Sequence, residues 1–104
     1  MRQIEKKMCS ALAGLESFNC GNTSVRIEKD SEGFIEYARV FLHGNEIYKA
    51  KFGENGFDEW FTLAGWNTST TRRILRALGV DVRQKNGLPM YKGFVISSTK
   101  WHKI

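Results

Sequence analysis

Residues 35–52 constrain the fold of this chain more than any other stretch. Two runs rich in β-branched and aromatic residues flank Gly44-Asn45, a pair suited to a two-residue turn in which glycine takes a positive φ. Such a turn forces antiparallel pairing, so the chain must build at least one antiparallel sheet. Pairing His43 with Glu46 fixes the register and both faces of the hairpin. Tyr37, Arg39, Phe41, Tyr48, Ala50 and Phe52 then lie on one side, and Ala38, Val40, Leu42, Ile47, Lys49 and Lys51 on the other. Both sides are partly apolar, and one of them must pack on a helix. If the aliphatic side does so, the aromatic side with Tyr37, Arg39, Phe41, Tyr48 and Phe52 is left as a stacking platform for bases. If the aromatic side does so, Lys49 and Lys51 form the solvated side. The rarity of exposed aromatic patches favours this second arrangement.

Helices are expected at two places. Ile4, Met8, Leu12 and Leu15 recur at helical spacing, with Arg2, Glu5, Lys6 and Lys7 elsewhere on the wheel, which predicts an amphipathic helix over residues 2–16. A second helix starts near Ser69, capped by Thr68 or Ser69. Its buried stripe is Thr71, Ile74, Leu75 and Leu78, and Gly79 sits where a left-handed residue is wanted. Between them, Val25 and Ile27 alternate with Arg26 and Glu28 as a short strand, residues 54–57 read as a loop, and residues 59–64 read as another strand. Asn86-Gly87 turns a last hairpin from residues 80–85 into residues 88–92, after which residues 94–96 add an edge strand. The expected architecture is therefore α+β: an N-terminal helix packed on a mainly antiparallel sheet of five or six strands, with a second helix before a C-terminal β-hairpin. At 104 residues this is one domain, residues 1–104. The strands near Val25 and Phe94 are expected to be open edges through which a homodimer could pair.

Several function classes drop out at this point. No run approaches the roughly 18–20 apolar residues of a membrane span, and Glu5, Lys6 and Lys7 interrupt the apolar stretch a signal peptide needs, so a cytoplasmic location is expected. Cys9 and Cys20 read as free thiols. With His43 and His102 they lack the close CxxC or HxxxH pairs from which zinc sites are assembled, so no metal is expected. His43 lies at a turn and His102 in the tail, with no motif placing a nucleophile or acid beside either, and no phosphate-loop or dinucleotide glycine pattern occurs. The chain reads as a binding protein without cofactor rather than an enzyme.

Charge points to the class of partner. The formal net charge is +5, and from Arg72 onward Arg72, Arg73, Arg76, Arg83, Lys85, Lys92, Lys100 and Lys103 face a lone acid, Asp81. A polyanion fits that field. The second helix opens on Thr68, Ser69, Thr70 and Thr71, whose hydroxyls and free backbone N–H groups suit a phosphate, and Arg72, Arg73 and Arg76 follow within a turn. Thr70, Thr71, Arg72, Arg73 and Arg76, with Arg83 and Lys85 of the hairpin, are the candidate nucleic-acid contacts. They would meet backbone phosphates of DNA or RNA rather than read sequence. The alternative is a chain that binds a host protein, in which case Trp60, Trp66 and Trp101 are the expected anchors.

Four stretches taken together resemble a family of small, mostly uncharacterised proteins encoded by tailed bacteriophages. They are Gly21-Asn22-Thr23-Ser24-Val25, then Val40-Phe41-Leu42-His43-Gly44-Asn45, then Leu63-Ala64-Gly65-Trp66-Asn67-Thr68 running into Thr70-Thr71-Arg72, and finally residues 82–87 with Tyr91-Lys92-Gly93. The resemblance implies a phage origin and action by binding, either to nucleic acid or to a host enzyme or defence complex in the host cytoplasm. The family pattern carries an arginine near the position of Ile74 and an asparagine near that of Arg76. Arg72 is therefore the helix arginine the resemblance carries over.

Overall fold

A computed structural model describes residues 2–104. In chain order the elements are α1 (Gln3–Ala13), β1 (Phe18–Cys20), β2 (Thr23–Lys29), β3 (Ile35–Leu42), β4 (Asn45–Gly53), β5 (Gly56–Phe61), α2 (Ser69–Ala77), β6 (Val82–Lys85), β7 (Leu88–Tyr91), β8 (Phe94–Val95) and β9 (His102–Lys103). Strands β1-β2-β3-β4-β5-β9 form one antiparallel sheet in that order, and β6-β7-β8 form a second, smaller one. The expected α+β architecture is the observed one. Met8 of α1, Ile74 and Leu75 of α2, and Val80 and Val82 meet one face of the large sheet in a single core with Val25, Ala38, Val40, Leu42, Ile47, Tyr48, Ala50, Phe61 and Leu63. Tyr91 of the small sheet joins the same side, its ring edge-on to Phe61 with centroids 4.8 Å apart. Both helices and the small sheet thus cover one face of the large sheet, and among the described residues no layer covers the other face.

The tight turn of the long hairpin is one residue earlier than its sequence suggests. Leu42 pairs with Asn45, so the loop is His43-Gly44, with φ of 51° and 79° at its two positions. Two positive φ values are what a type I′ hairpin turn requires. The pairing then shifts between Val40 and Phe41: Phe41 faces Glu46 but Val40 faces Tyr48, which leaves Ile47 as the extra residue of a β-bulge. Ile47 and Tyr48 are both buried as a result. The strand β4 residues beyond the bulge are therefore on the opposite side from that expected. Tyr48, Ala50 and Phe52 join Ala38, Val40 and Leu42 against the core, while Lys49 and Lys51 share the open face with Tyr37, Arg39 and Phe41. The expected burial of all the hairpin aromatics is thus corrected. The simple register would have set two lysines among Ala38, Val40 and Leu42, at a desolvation cost that one bulge avoids.

Three further expectations are corrected. Helix α1 stops at Ala13, where Gly14 caps it, instead of continuing to residue 16, and Leu15 takes a φ of 53° in the turn. Strand β5 begins at Gly56 and ends at Phe61, earlier than residues 59–64, because Phe57 pairs across the sheet with Phe52. The strand carrying Val25 is not an edge, since β1 pairs along it from Cys20↔Thr23 to Phe18↔Val25. The β8 strand carrying Phe94 and Val95 does lie at an edge. Cys9 and Cys20 are free thiols. Cys9 donates its S–H to the carbonyl of Ala77 at 3.3 Å, tying α1 to the end of α2. Burial, with a smaller contribution from Glu5, pushes its thiol pKa up.

Candidate functional site

The start of α2 is built as its sequence implies, but its arginines are drawn into the fold. Thr68 caps the helix, accepting the Thr71 N–H at 3.2 Å, and its hydroxyl also pairs with that of Thr71 at 3.0 Å. Thr71 is buried, and Thr70 before it is half-buried. Arg72 donates to the side-chain oxygen of Asn67, whose amide in turn donates to the Gly87 carbonyl at 3.3 Å, so the helix start is tied to the turn of the β6–β7 hairpin. Arg73 points the other way. Its Nε lies 3.4 Å from Glu5 of α1, close enough for an ion pair but not aligned as a hydrogen bond. Arg76 donates to the carbonyl of Val82 at 3.0 Å and holds the connection into β6. Arg83 pairs with Asp81 at 2.6 Å on the surface, and Lys85 is exposed at the hairpin end. The seven expected contact residues therefore do not converge on one surface; Thr71, Arg73 and Arg76 hold the fold together.

A different group of cations does converge, on the open face of the large sheet. The register places Arg26 opposite Arg39, Arg39 opposite Lys49, Lys49 opposite Trp60, and Trp60 opposite Lys103. This is one continuous row running across five strands. At about 4.8 Å between strands it spans roughly 19 Å. A second row beside it reads Glu28, Tyr37, Lys51 and Asp58, and Ser24, Phe41 and Glu46 complete the face toward the turn. Like charges directly opposite one another destabilise a sheet, so the row needs compensation. Arg39 receives it from two carboxylates, Glu28 and Glu46, each at 2.8 Å. Burial by itself lowers the pKa of this guanidinium, but the two carboxylates outweigh it and hold the pKa above its ordinary value. Lys103 pairs with Asp58 at 2.7 Å.

The other three cations of this face lean on aromatic rings. Arg26 lies 4.6 Å over Phe41, Lys49 lies 4.3 Å over Trp101 and 5.5 Å over Trp60, and Lys51 lies 5.8 Å over Tyr37. Arg39 and Lys103 also reach rings, Tyr37 at 4.2 Å and Trp60 at 5.1 Å. Such contacts are worth about 0.5–1 kcal/mol at exposed sites and leave the charge available to a stronger anion. The face therefore holds five cations, three carboxylates and four aromatic rings. Sequence reasoning grouped Tyr37, Arg39 and Phe41 with Tyr48, Ala50 and Phe52, favoured burial of that side, and set Lys49 and Lys51 on the other. The signal that could have joined them is the cost of burying two lysines beside Ala38 and Val40.

A cleft of about 450 Å³ lies between the His43-Gly44 turn and the start of α2. Leu42, Ile47, Leu63 and Ala64 contribute its apolar lining, and His43, Thr68 and Thr70 are among its polar residues. Trp66, 59% exposed, also lines it. The His43 ring is 3.1 Å from the side-chain amide of Asn22, and the Asn22 carbonyl accepts the His43 N–H at 2.7 Å. Three of the four stretches that carry the phage resemblance thus meet around one end of the large sheet. A family model described as Kyanoviridae Gp96 protein matches residues 1–103. The chain belongs to that family of tailed-bacteriophage proteins. No curated protein and no solved structure matches it. Among the described residues of this family member, no helix is long and apolar enough to cross a membrane.

Proposed function

We propose that this chain binds nucleic acid through backbone phosphates, using the open face of the large sheet. The observation that carries the reading is the row Arg26, Arg39, Lys49, Trp60 and Lys103, whose cations outnumber the acids of the face and stand side by side across neighbouring strands. Mutual repulsion within such a row is relieved by a bound polyanion, and the released counterions supply affinity. Arg72 and Lys85 belong to the layer of α2 and the small sheet on the other side of the large sheet and are not part of this face, and Arg73 and Arg76 serve the fold. Such contacts orient a strand without reading its sequence.

The test is fluorescence anisotropy of labelled single-stranded DNA, duplex DNA and RNA at a series of salt concentrations, with Lys49→Ala/Lys51→Ala alongside. Binding should weaken with salt. The double substitution should lower the slope of log affinity against log salt by about 1.4–1.8, two phosphates' worth of released counterions. Absence of binding to all three at low salt would refute the reading.

A protein partner is the second reading, favoured by the apolar edge of the small sheet, where Phe94 is 74% and Val95 58% exposed. A host protein captured by the wild-type chain, retained by Lys49→Ala/Lys51→Ala and lost with Phe94→Asp would support it.

A further inference from the structure

We infer that the open face selects single-stranded nucleic acid over duplex, with bases stacking on Trp60 and Trp101 while Arg26, Lys49 and Lys51 hold the phosphates. The inference rests on the nucleic-acid reading above and adds to it the form of the ligand and the residues that choose it. Cations alone would serve a duplex equally well, because a duplex presents only phosphates to a flat basic surface. The rings make the difference. Trp60 stands inside the row of cations, between Lys49 and Lys103, and Trp101, 37% exposed, lies against Lys49 from the segment just before β9. A duplex keeps its base faces stacked on one another and cannot offer them to these rings. A single strand can splay its bases onto them, at about 1–3 kcal/mol per stacked base and with little sequence preference.

The placement also fits the size of the ligand. A row of roughly 19 Å with rings at one end and guanidinium groups at the other can track a short run of nucleotides, comparable to the lower end of the roughly 4–16 nucleotides covered by one small β-barrel binding fold. In the free protein the ammonium of Lys49 sits over the two indoles. A base stacking there would displace it toward the adjoining phosphate, exchanging its two cation–π contacts for a charge-assisted hydrogen bond. Arg39 has a different part. Its two carboxylates, Glu28 and Glu46, hold it in place between Arg26 and Lys49, so it is a positioning residue rather than a free phosphate contact. A second copy of the chain is a poor occupant, since two such faces would set cations against cations.

The experiment compares a labelled oligothymidylate of about 12 nucleotides, the matching oligouridylate and a duplex of the same length at one salt concentration. It uses the wild-type chain, Trp101→Ala, Trp101→Phe and Lys49→Ala/Lys51→Ala, with Trp66→Phe as the background for tryptophan fluorescence. The single strands should bind at least tenfold tighter than the duplex and quench the remaining indole emission. Trp101→Ala should lose about tenfold in single-strand affinity with its salt slope unchanged, and Trp101→Phe should recover most of it. That recovery separates stacking from a disturbed β9, which circular dichroism would also report. Duplex binding equal to or tighter than single strands, or an unaltered affinity in Trp101→Ala, would overturn the single-strand inference while leaving phosphate binding intact. No binding to any oligomer would remove both. A doubling of mass in sedimentation that Lys49→Glu abolishes would assign the face to self-association and also overturn the inference.

Discussion

Replacing Arg73 with methionine should destabilise the fold because of Glu5. Glu5 lies on α1 with its side chain only 3% exposed. Its carboxylate accepts the Arg2 backbone N–H at 2.7 Å and faces Arg73 at 3.4 Å. Breaking a fully buried ion pair by removing one partner costs about 3–5 kcal/mol, because the other charge is left unpaired. Arg73 is 30% exposed and its hydrogen-bond geometry is poor, so solvent screens part of that cost. About 2 kcal/mol is the figure expected for Arg73→Met at neutral pH. For a domain of this size that corresponds to roughly 8–16 °C in Tm.

The charge on Glu5 supplies the internal check on this prediction. Adding Glu5→Gln to Arg73→Met should recover much of the loss at pH 7. Urea unfolding of the two variants and wild type at pH 7 measures both the loss and its recovery. A deficit below about 0.5 kcal/mol at pH 7, the range of ordinary surface substitutions, would refute the argument. The result also bears on function: binding lost in an Arg73 variant reports on folding as much as on phosphate contact.

Two further outcomes follow from local chemistry. Gly44→Ala should cost about 1–2 kcal/mol, since φ there is 79° while an added Cβ would meet nothing within 4 Å, so the penalty lies wholly in the backbone; an unchanged urea midpoint would show that the turn relaxes. Stability should fall as pH rises above about 10, because burial first, and then the hydrogen bond to Glu59, pushes the Tyr48 pKa above its ordinary value. A phenol that ionises more readily unfolded than folded stabilises the fold below its ordinary pKa and loses that contribution above it. Tyr48→Phe should flatten this alkaline decline while costing about 1 kcal/mol at neutral pH from the lost hydrogen bond. An alkaline decline of equal size in the variant would assign it elsewhere.

Turn chemistry, hydrophobic period and end signals are local, and the sequence by itself determined what depends on them. Asn86-Gly87 turns its hairpin where expected, with φ of 53° and 79°. Thr68 caps α2, Gly79 follows it with a φ of 90°, and Thr71, Ile74 and Leu75 are its buried stripe. These features need only the conformational preferences of a few neighbouring residues. The candidate site was legible in composition but not in place: an excess of cations and a set of aromatics could be counted, but not assigned to a common surface.

Only tertiary packing decided that assignment. Side chains alternate with a period of two along a strand, so the one-residue bulge at Ile47 carried Lys49 and Lys51 from one face of the sheet to the other. The bulge forms because the core must accept Tyr48 and Ala50 rather than two ammonium groups. The same need to pair charges removed from water drew Arg73 onto Glu5, a buried residue of the first helix far away in sequence. Neither outcome is written in the chain near the residues concerned, because both are set by which distant surfaces must share a core.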